Sequence, residues 1–423
     1  YILIALFALS CKAQPKHELR AAWLTTVGGL DWPHNYAQSP KSIRRQQEEL
    51  CRTLDLLKEA HVNTVLFQTR IRGTVIYPST QEPWDGCTSG NPGQNPGYDP
   101  LQFAIDECHR RGMELHAWVV TIPIGKWNGA GARNLMRRNP RLVKRIGDEA
   151  YMNPEAAGTA DYLADLCGDI TKRYDVDGIH LDYIRFPETW KININRQTGR
   201  TYITRIAQAI SQRVKSIKPW VKMSCSPIGK YKDLDRQESY GWNAYTRVCQ
   251  DAQQWLRDGI MDQLYPMMYF DGKHFYPFAS DWSDNRYDGQ TAAGLGIYML
   301  SPKERNWSLS AVERQMNVAP FDVFSRLMYD RIIFLSGEVS QDSMDTIVAQ
   351  LLYLDSVDNR DINIYVNSPG GDCYSGLELV STMDFVKSDV STTVLGLAAS
   401  MGAIISSSGK KGKRKMLPYS RFM

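Results

Sequence analysis

The sequence predicts an α/β protein, namely a (β/α)8-type TIM barrel that lacks its eighth strand, followed by a smaller βα unit. From residue 18 to about 310, seven short apolar runs alternate with longer amphipathic stretches. No eighth strand follows the seventh run, and a new strand and helix series begins near Asp322. The 423 residues are enough for two or three domains, and we divide them into residues 1–17, 18–316 and 317–423.

The barrel strands are predicted from β-branched and aromatic runs, and the helices between them from apolar residues at three- and four-residue spacing. Seven successive βα units favour a barrel over an open sheet. The predicted strands are 18–27, 62–70, 114–120, 178–185, 221–227, 262–269 and 294–300. The predicted helices are 41–60, 100–112, 157–174, 200–217 and 243–258.

The second unit also alternates between predicted helices and predicted strands. A helix, F-D-V-F-S-R-L-M, leads into a strand, R-I-I-F-L, and a helix over 341–355. A strand, I-N-I-Y-V, a glycine-rich turn, a helix over 375–387 and a strand, T-T-V-L-G-L-A, follow. No Pro/Gly/Ser-rich linker separates the units, which is unusual for a natural domain boundary.

The amino-terminal residues are typical of an export signal. Residues 2–9 form an apolar run that is too short to cross a bilayer but suits a signal peptide, and it ends in small residues before Cys11. The A-L-S-C stretch resembles a lipobox, so we expect Cys11 to be lipidated and to anchor an exported protein to a membrane. The chain opens with Tyr1 and stops at Met423 inside a motif, so we expect truncation at both ends.

Charge and cysteine content exclude several classes of function. The net charge of +4 is small, and the one dense basic cluster, Lys410–Lys415, is isolated, so no nucleic-acid partner is predicted. The cysteines after Cys11 form no CxxC pair and no His/Cys metal spacing. We therefore predict no metal and no cofactor.

The fourth strand carries the strongest candidate for barrel chemistry. In D-G-I-H-L-D-Y-I-R-F-P, His180 and Asp182 share a face by the two-residue period, and Asp182 lies near the end of the strand beside Tyr183 and Arg185. A carboxylate placed there can stabilise an oxocarbenium-like transition state as nucleophile or base. The alternative is that Asp182 only pairs with Arg185 or Arg70 to close the barrel mouth.

Other strands supply polar and aromatic groups of the kind that bind sugars. The same parity places Gln68 with Arg70, and Glu114 with His116 and Trp118, each set on one strand face. On the sixth strand, Tyr269 shares a face with Tyr265. The predicted substrate-binding residues are Gln68, Arg70, His116, Trp118, His180, Tyr183, Arg185 and Tyr269.

Residues 18–316 contain six motifs in this order: E-L-R-A-A-W-L-T-T-V, F-Q-T-R, E-L-H-A-W, D-G-I-H-L-D-Y-I-R-F-P, S-C-S-P-I-G and Q-L-Y-P-M-M-Y. Together they resemble the bacterial glycosyl-hydrolase-like 10 family. The resemblance implies a lipoprotein acting on bacterial glycan, with peptide-stripped peptidoglycan as substrate in one branch. It supports Asp182 as the leading catalytic carboxylate. Glu114 and Asp262 are candidates for the partner acid, and strand parity favours Glu114.

The motif G-L-A-A-S-M-G-A places Ser400 after a strand and at the start of a helix, where small residues expose its hydroxyl. A serine at such a position is more often a helix cap than a nucleophile. With S-P-G-G and G-K-R-K-M-L-P-Y-S-R-F-M, however, the motif resembles the N-terminal half of the Clp protease proteolytic subunit, a crotonase-like fold, over residues 317–423. The resemblance implies Ser400 as nucleophile, with the amides of Gly371 and Met401 as oxyanion hole.

In that family the triad histidine and aspartate follow the position of Met423, so we expect this part to be inactive and not to engage Clp ATPase and ring partners. Three functions therefore compete: glycan hydrolase, serine protease subunit, and a fusion without activity. We favour the hydrolase, because the barrel supplies most of the chain. The compartments conflict, since a lipoprotein is exported to the cell envelope whereas Clp subunits work in the cytoplasm.

Overall fold

The computed structural model describes residues 19–235, 242–270, 272–285, 287, 289–318 and 331–423. The chain divides into two compact units, Tyr1–Pro320 and Phe321–Met423. The predicted signal peptide, Cys11 and the predicted helix F-D-V-F-S-R-L-M lie outside the described residues. Among the helices that are described, none is long and apolar enough to cross a membrane.

The first unit is built on a curled parallel sheet of seven strands. Its strand order is β1-β2-β3-β7-β8-β9-β11, so β1 and β11 form the two edges. This confirms the prediction of a TIM-like barrel that lacks a strand. The strands of this unit are β1 Ala21–Leu24, β2 Thr64–Arg70, β3 Glu114–Val120, β4 Pro123–Lys126, β5 Val143–Ile146, β6 Glu149–Met152, β7 Gly178–Asp182, β8 Lys222–Cys225, β9 Gln263–Leu264, β10 Met267–Met268, β11 Gln290–Thr291 and β12 Gly294–Leu295.

Helices follow most of the strands, as the sequence pattern predicts. The first of them starts at a capping box in which Ser39 and Ser42 exchange hydrogen bonds, with proline at the first helical position. Residues at every position of β2 and β7 are buried, as expected for a parallel sheet covered on both faces. The helices are α1 Pro40–Glu59, α2 Gly86–Ser89, α3 Pro100–Arg110, α4 Ala130–Arg138, α5 Gly158–Arg173, α6 Arg196–Ile217, α7 Ala244–Arg247, α8 Ala252–Arg257, α9 Gly272–Asp284 and α10 Leu309–Val318.

The prediction of the seventh strand at 294–300 is wrong. The seventh strand of the sheet is β11, which pairs with β9, whereas β12 pairs with β10 in a separate ladder. Ile297–Leu300 is a 3-10 helix. Two other predicted elements are split: 262–269 into β9 and β10, and 243–258 into α7 and α8. The antiparallel sheet β4-β6-β5, inserted between β3 and α5, was not predicted.

The second unit is a parallel sheet in the order β13-β14-β15-β16, with β17 also pairing with β15. Its apolar core is formed by the sheet and by residues of all three of its described helices. Arg331 leads into the first strand, and its buried guanidinium donates hydrogen bonds to three main-chain carbonyls and to Ser388. The elements are β13 Ile332–Val339, α11 Gln341–Val357, β14 Ile362–Gly371, α12 Cys373–Phe385, β15 Val390–Ala398, α13 Met401–Ser407, β16 Arg414–Met416 and β17 Arg421–Phe422.

Candidate active sites

Asp182 is the last residue of β7 and is only 8% exposed. Its Oδ1 accepts hydrogen bonds from the Tyr183 amide at 2.7 Å and from Ser226 Oγ at 3.0 Å. Its Oδ2 accepts one from Trp118 Nε1 at 3.2 Å. The carboxyl group is therefore held from both neighbouring strands. Ser226 was not predicted, although its two-residue spacing from Ser224 in S-C-S-P places both serines on one face.

The backbone turns sharply directly after this carboxyl group. Tyr183 has a φ of +52°, a left-handed conformation that bulky residues rarely adopt. Such strain concentrates at functional sites, where the surrounding structure enforces it. The turn aims the Tyr183 amide at Asp182 and places the Tyr183 ring against the guanidinium of Arg185, 3.9 Å from its centroid.

Burial raises the pKa of Asp182 above its usual value, and the Arg185 charge together with the three donors opposes this effect without cancelling it. Arg185 is itself buried and donates from Nη2 to Glu188 at 2.7 Å. Its Nε and Nη1 have no hydrogen-bond partner among the described residues. Two unsatisfied donors of a cation thus lie near a desolvated carboxyl group.

The layer beneath Asp182 is aromatic and buried. His180 is completely buried and stacks on Tyr265 with ring centroids 5.4 Å apart. Its Nε2 lies 3.2 Å from Trp23 Nε1, and its Nδ1 lies 3.0 Å from Ser224 Oγ. Because an indole N–H only donates, His180 Nε2 is the acceptor and Nδ1 carries the proton. Burial also lowers the pKa of His180 well below its usual value, so the ring is neutral.

The structure places three further predicted substrate-binding residues at different positions around this interior, namely Gln68, Tyr269 and His116. The Gln68 Oε1 accepts hydrogen bonds from Thr25 Oγ1 and from the amides of Thr26 and Val27, so it holds the segment after β1 in place. Tyr269 is half-buried against Tyr298, and burial together with the Asp182 charge raises its pKa. His116 is completely buried in a lower layer, next to Glu114.

The prediction that Arg70 binds substrate is contradicted by its burial. Its side chain is 0% exposed and pairs with Glu82 through Nε at 2.8 Å and Nη2 at 2.7 Å. Its Nη1 donates to the carbonyl oxygens of Val120 and Thr121. A register shift between Gln68 and Arg70 breaks the alternation that placed both side chains on one face. Arg70 therefore has a structural role, as the cation of a buried ion pair with Glu82.

The structure does not bring Glu114 or Asp262 together with Asp182. Glu114 is the first residue of β3, at the opposite end of the sheet, and Lys222 Nζ donates to both of its carboxylate oxygens at 2.6 and 2.7 Å. The hydrogen bond from His116 and the pairing with Lys222 lower the pKa of Glu114 to about 2. Asp262 precedes β9 and pairs with Lys215 at 2.7 Å. The preference for Glu114 as partner acid is thus corrected.

The second unit presents Ser400 in a strained turn between β15 and α13. Its φ of +52° is left-handed, its side chain is exposed, and its amide donates to the Met423 carbonyl at 3.1 Å. The Ser400 side chain makes no capping hydrogen bond to α13, which argues against the helix-cap explanation. No histidine follows His274 in the printed sequence, and no side chain in the described residues hydrogen bonds to Ser400 Oγ.

The first glycine of S-P-G-G, Gly370, lies directly against this serine, whereas Gly371 lies against Val339. A Cβ atom added to Gly370 would come within 2.6 Å of Ser400 Cβ and 2.9 Å of the Met401 amide nitrogen. Gly370 and Gly371 both have positive φ, at 93° and 151°. Met401 is the first residue of α13, where the amide has no acceptor within the helix. The Met401 amide is thus free of a helical acceptor next to Ser400, and the assignment of Gly371 and Met401 as oxyanion donors stays a prediction.

Within the described residues, no group of three or more His, Cys, Asp or Glu side chains is placed to hold a metal ion. The chemistry that can be assigned therefore depends on Asp182 in the barrel unit and on Ser400 in the second unit. A carboxyl group at the carboxyl end of a barrel strand, among aromatic and hydrogen-bonding side chains, is typical of a hydrolase of glycoside-hydrolase type.

Comparison with known proteins supports this class. The chain belongs to the glycosyl hydrolase-like 10 family, whose family model matches residues 18–198 and 196–292. The glycosyl hydrolase DigH of Escherichia coli is 28% identical over 323 residues, covering 67% of this chain and 74% of DigH. The glycosyl hydrolase YngK of Bacillus subtilis is 27% identical over 320 residues, covering 67% of this chain and 62% of YngK.

The carboxyl-terminal part matches a second family. Residues 314–423 match the Clp protease family model. The ATP-dependent Clp protease proteolytic subunit of Bacteroides fragilis is 56% identical over 112 residues, which cover 26% of this chain and 54% of that subunit. The chain thus spans about half the length of this relative. The prediction that the chain joins parts of two unrelated enzyme families is confirmed.

Proposed function

We propose that the barrel unit hydrolyses glycosidic bonds of bacterial cell-wall glycan, with peptide-stripped peptidoglycan strands as its substrate. The observation that carries this proposal is the placement of Asp182 at the carboxyl end of β7, with both oxygens held by donors from three segments. Family membership supports the reaction class. The substrate rests on the resemblance of the barrel motifs to a peptidoglycan-acting branch.

In this proposal Asp182 either attacks the anomeric carbon as nucleophile or, as base, removes a proton from the water that attacks this carbon. The N–H groups of Trp118 and Tyr183 can only donate, so they orient the carboxylate and stabilise its charged form against the effect of burial. In a buried site, that charge acts strongly on the positive charge that develops in an oxocarbenium-like transition state. Arg185 and the aromatic side chains Trp118, Tyr183 and Tyr269 would bind and orient the sugar.

The experiment is to incubate the purified chain with amidase-treated peptidoglycan and to separate the products by liquid chromatography and mass spectrometry. We expect new reducing ends and short saccharides. A 2-deoxy-2-fluoro glycoside distinguishes the two roles, because only a nucleophile forms a covalent adduct at Asp182. Intact strands after incubation with folded protein would contradict the proposal.

Ser400 supports a second candidate function, serine endopeptidase activity. Its left-handed backbone and exposed hydroxyl are the observations in favour. A serine becomes nucleophilic only when a neighbouring base accepts its proton. We propose that residues 317–423 keep the shape of a Clp nucleophile site without activity in this chain, and without engaging Clp ATPase or ring partners.

For localisation we propose an exported lipoprotein anchored through Cys11. The supporting observation is the short apolar run followed by A-L-S-C. Metabolic labelling with a fatty-acid analogue and membrane fractionation test this proposal. We expect label on the wild-type chain and none on Cys11→Ala, and equal labelling of the two would contradict it.

A further inference from the structure

A cavity of about 850 Å³ lies outside the site around Asp182, in the barrel unit. Its walls come from the segment after β2, the segment after β3 and the first turns of α5. Segments that follow the strands of such a barrel lie at the carboxyl end of the sheet. The cavity therefore lies at the same end of the barrel as Asp182, next to strands that precede β7 in the sheet.

The charge that lines this cavity is mainly positive. The Arg138 guanidinium is held in place by the carbonyl oxygens of Thr80 and Gln81. Arg141 is exposed and has no ion-pair partner among the described residues. The acidic side chain of the cavity, Asp165, already pairs with Arg213. An anionic group would therefore find an available cation here, and no unpaired carboxylate would oppose it.

A buried hydrogen-bond acceptor in the cavity wall indicates a second property of the ligand. Gln81 lines the cavity, and its shielded Oε1 has no hydrogen-bond partner among the described residues. Leaving such an acceptor unsatisfied is unfavourable. A ligand with an N–H or O–H group would remove this cost. The cavity thus fits a molecule that carries both a negative charge and a hydrogen-bond donor.

A chain of hydrogen bonds joins the cavity wall to the candidate catalytic strand. Tyr162, a lining residue, donates to Glu82 Oε1 at 3.1 Å, and Glu82 pairs with the buried Arg70. Arg70 donates to the Thr121 carbonyl at 2.8 Å, and Thr121 donates through its amide and hydroxyl to the Asp182 carbonyl. The cavity and Asp182 are therefore fixed in one connected frame.

We propose that this cavity binds a carboxylate-bearing N-acetylated sugar of the same glycan strand whose cleavage is proposed for Asp182. The inference rests on that proposed function and adds the feature that is recognised. Removing the peptide from peptidoglycan leaves a free lactyl carboxylate on each muramic acid unit, whereas a peptide-bearing unit has a neutral amide there. Arg141 would bind the carboxylate, and Gln81 would accept from the sugar's amide or hydroxyl.

The kinetic test compares Arg141→Gln with Arg137→Gln, an exposed arginine of α4 that does not line the cavity. We expect Arg141→Gln to raise KM for peptide-free strands about tenfold with kcat unchanged, because one charge-assisted hydrogen bond is lost. On strands whose carboxyl groups have been reduced to alcohols, the two variants should behave alike. Equal KM values for both variants on peptide-free strands would overturn the proposal.

A binding test separates this proposal from the proposed function. Calorimetric titration of N-acetylmuramic acid into the Asp182→Asn chain should give binding that Arg141→Gln removes, and N-acetylglucosamine should bind more weakly. Inorganic phosphate is the competing anion, and displacement by phosphate at equal concentration would contradict a carboxylate-specific site. Binding that depends on Arg141, without any cleavage of strands, would support the cavity site and refute the hydrolase function.

Discussion

Trp118 donates from its indole nitrogen to Asp182 Oδ2 at 3.2 Å, across the ladder that joins β3 to β7. In this ladder Trp118 pairs with His180 and Val120 pairs with Asp182. The indole thus reaches from the level of His180 to that of Asp182, two residues nearer the carboxyl end of the sheet. It orients the carboxyl group, and in the proposed function the same indole would stack on a sugar ring.

Replacing Asp182 with asparagine should abolish glycan cleavage with little loss of fold. The amide has nearly the same shape but can act neither as nucleophile nor as base, so we expect a loss of ~10³-fold or more in kcat. Product formation and circular dichroism are the measurements. Asp161→Asn, at an exposed position of α5, is the matched control and should keep full activity. Undiminished turnover by Asp182→Asn would remove Asp182 from the mechanism.

The pH dependence of stability should also depend on Asp182. Burial raises its pKa in the folded protein above 3.8, so the folded state holds this proton more tightly than the unfolded state. Its contribution to the free energy of unfolding therefore falls as pH rises from about 3.8 through the raised value. Urea titrations at several pH values should show that the free energy of unfolding of Asp182→Asn rises relative to that of the wild type over this range. A difference that does not change with pH would contradict the prediction.

Glu114→Gln should affect stability and not catalysis. The pKa of Glu114 is lowered to about 2, so its charge contributes stability above about pH 4.5 that is lost as pH falls towards 2. Because this carboxylate is partly exposed, we expect a loss of roughly 0.5–1 kcal/mol at pH 7. The deficit should vanish below pH 2, and kcat should stay within about twofold of the wild type. A large fall in kcat without unfolding would restore Glu114 as a catalytic candidate.

Breaking the Arg70–Glu82 pair should destabilise the barrel severely. Both side chains are almost completely buried, so removing either one leaves an uncompensated charge, at a cost of about 3–5 kcal/mol. Arg70→Met and Glu82→Leu should each lower the denaturation midpoint strongly. The double variant should recover much of the loss, because no buried charge remains. Additive losses in the double variant would show that the pair is not coupled.

Ser400 should be unreactive in the 423-residue chain. No histidine lies after His274, and loss of triad members typically costs about 10⁴–10⁶ in rate. A fluorophosphonate reagent followed by mass spectrometry measures this, with the Clp subunit of Bacteroides fragilis as a positive control. Stoichiometric labelling of Ser400, lost in Ser400→Ala, would reveal a working base and refute the prediction.

Strand parity predicted which face of a strand carries polar groups, but not the end at which they lie. It therefore placed His180 and Asp182 in one interior, but it also grouped Glu114 with Trp118, although four residue steps, about 13 Å of strand at roughly 3.3 Å per residue, separate their positions. At Arg70 parity failed because a local register shift interrupts the alternation. Nothing in the residue types of F-Q-T-R indicates that shift.

The seventh strand was misplaced for a related reason. The run G-L-G-I-Y-M-L is rich in residues that favour strands, yet the strand that joins the sheet is the short polar pair Gln290–Thr291. Pairing with β9 decides this position, and a two-residue strand leaves no periodic signal. The two-unit organisation was more predictable, because the motifs of each unit are long and lie in a fixed order.

The hydrogen bond from Trp23 to His180 holds the imidazole in one tautomer, and burial keeps it neutral. The nitrogen resonances of this ring should therefore stay constant over the pH range in which the protein is folded. Because the ring lies directly beneath Asp182, any shift that appears on adding a saccharide would report its arrival. The NMR resonances of the His180 ring nitrogens can thus report ligand binding without an attached probe and without turnover.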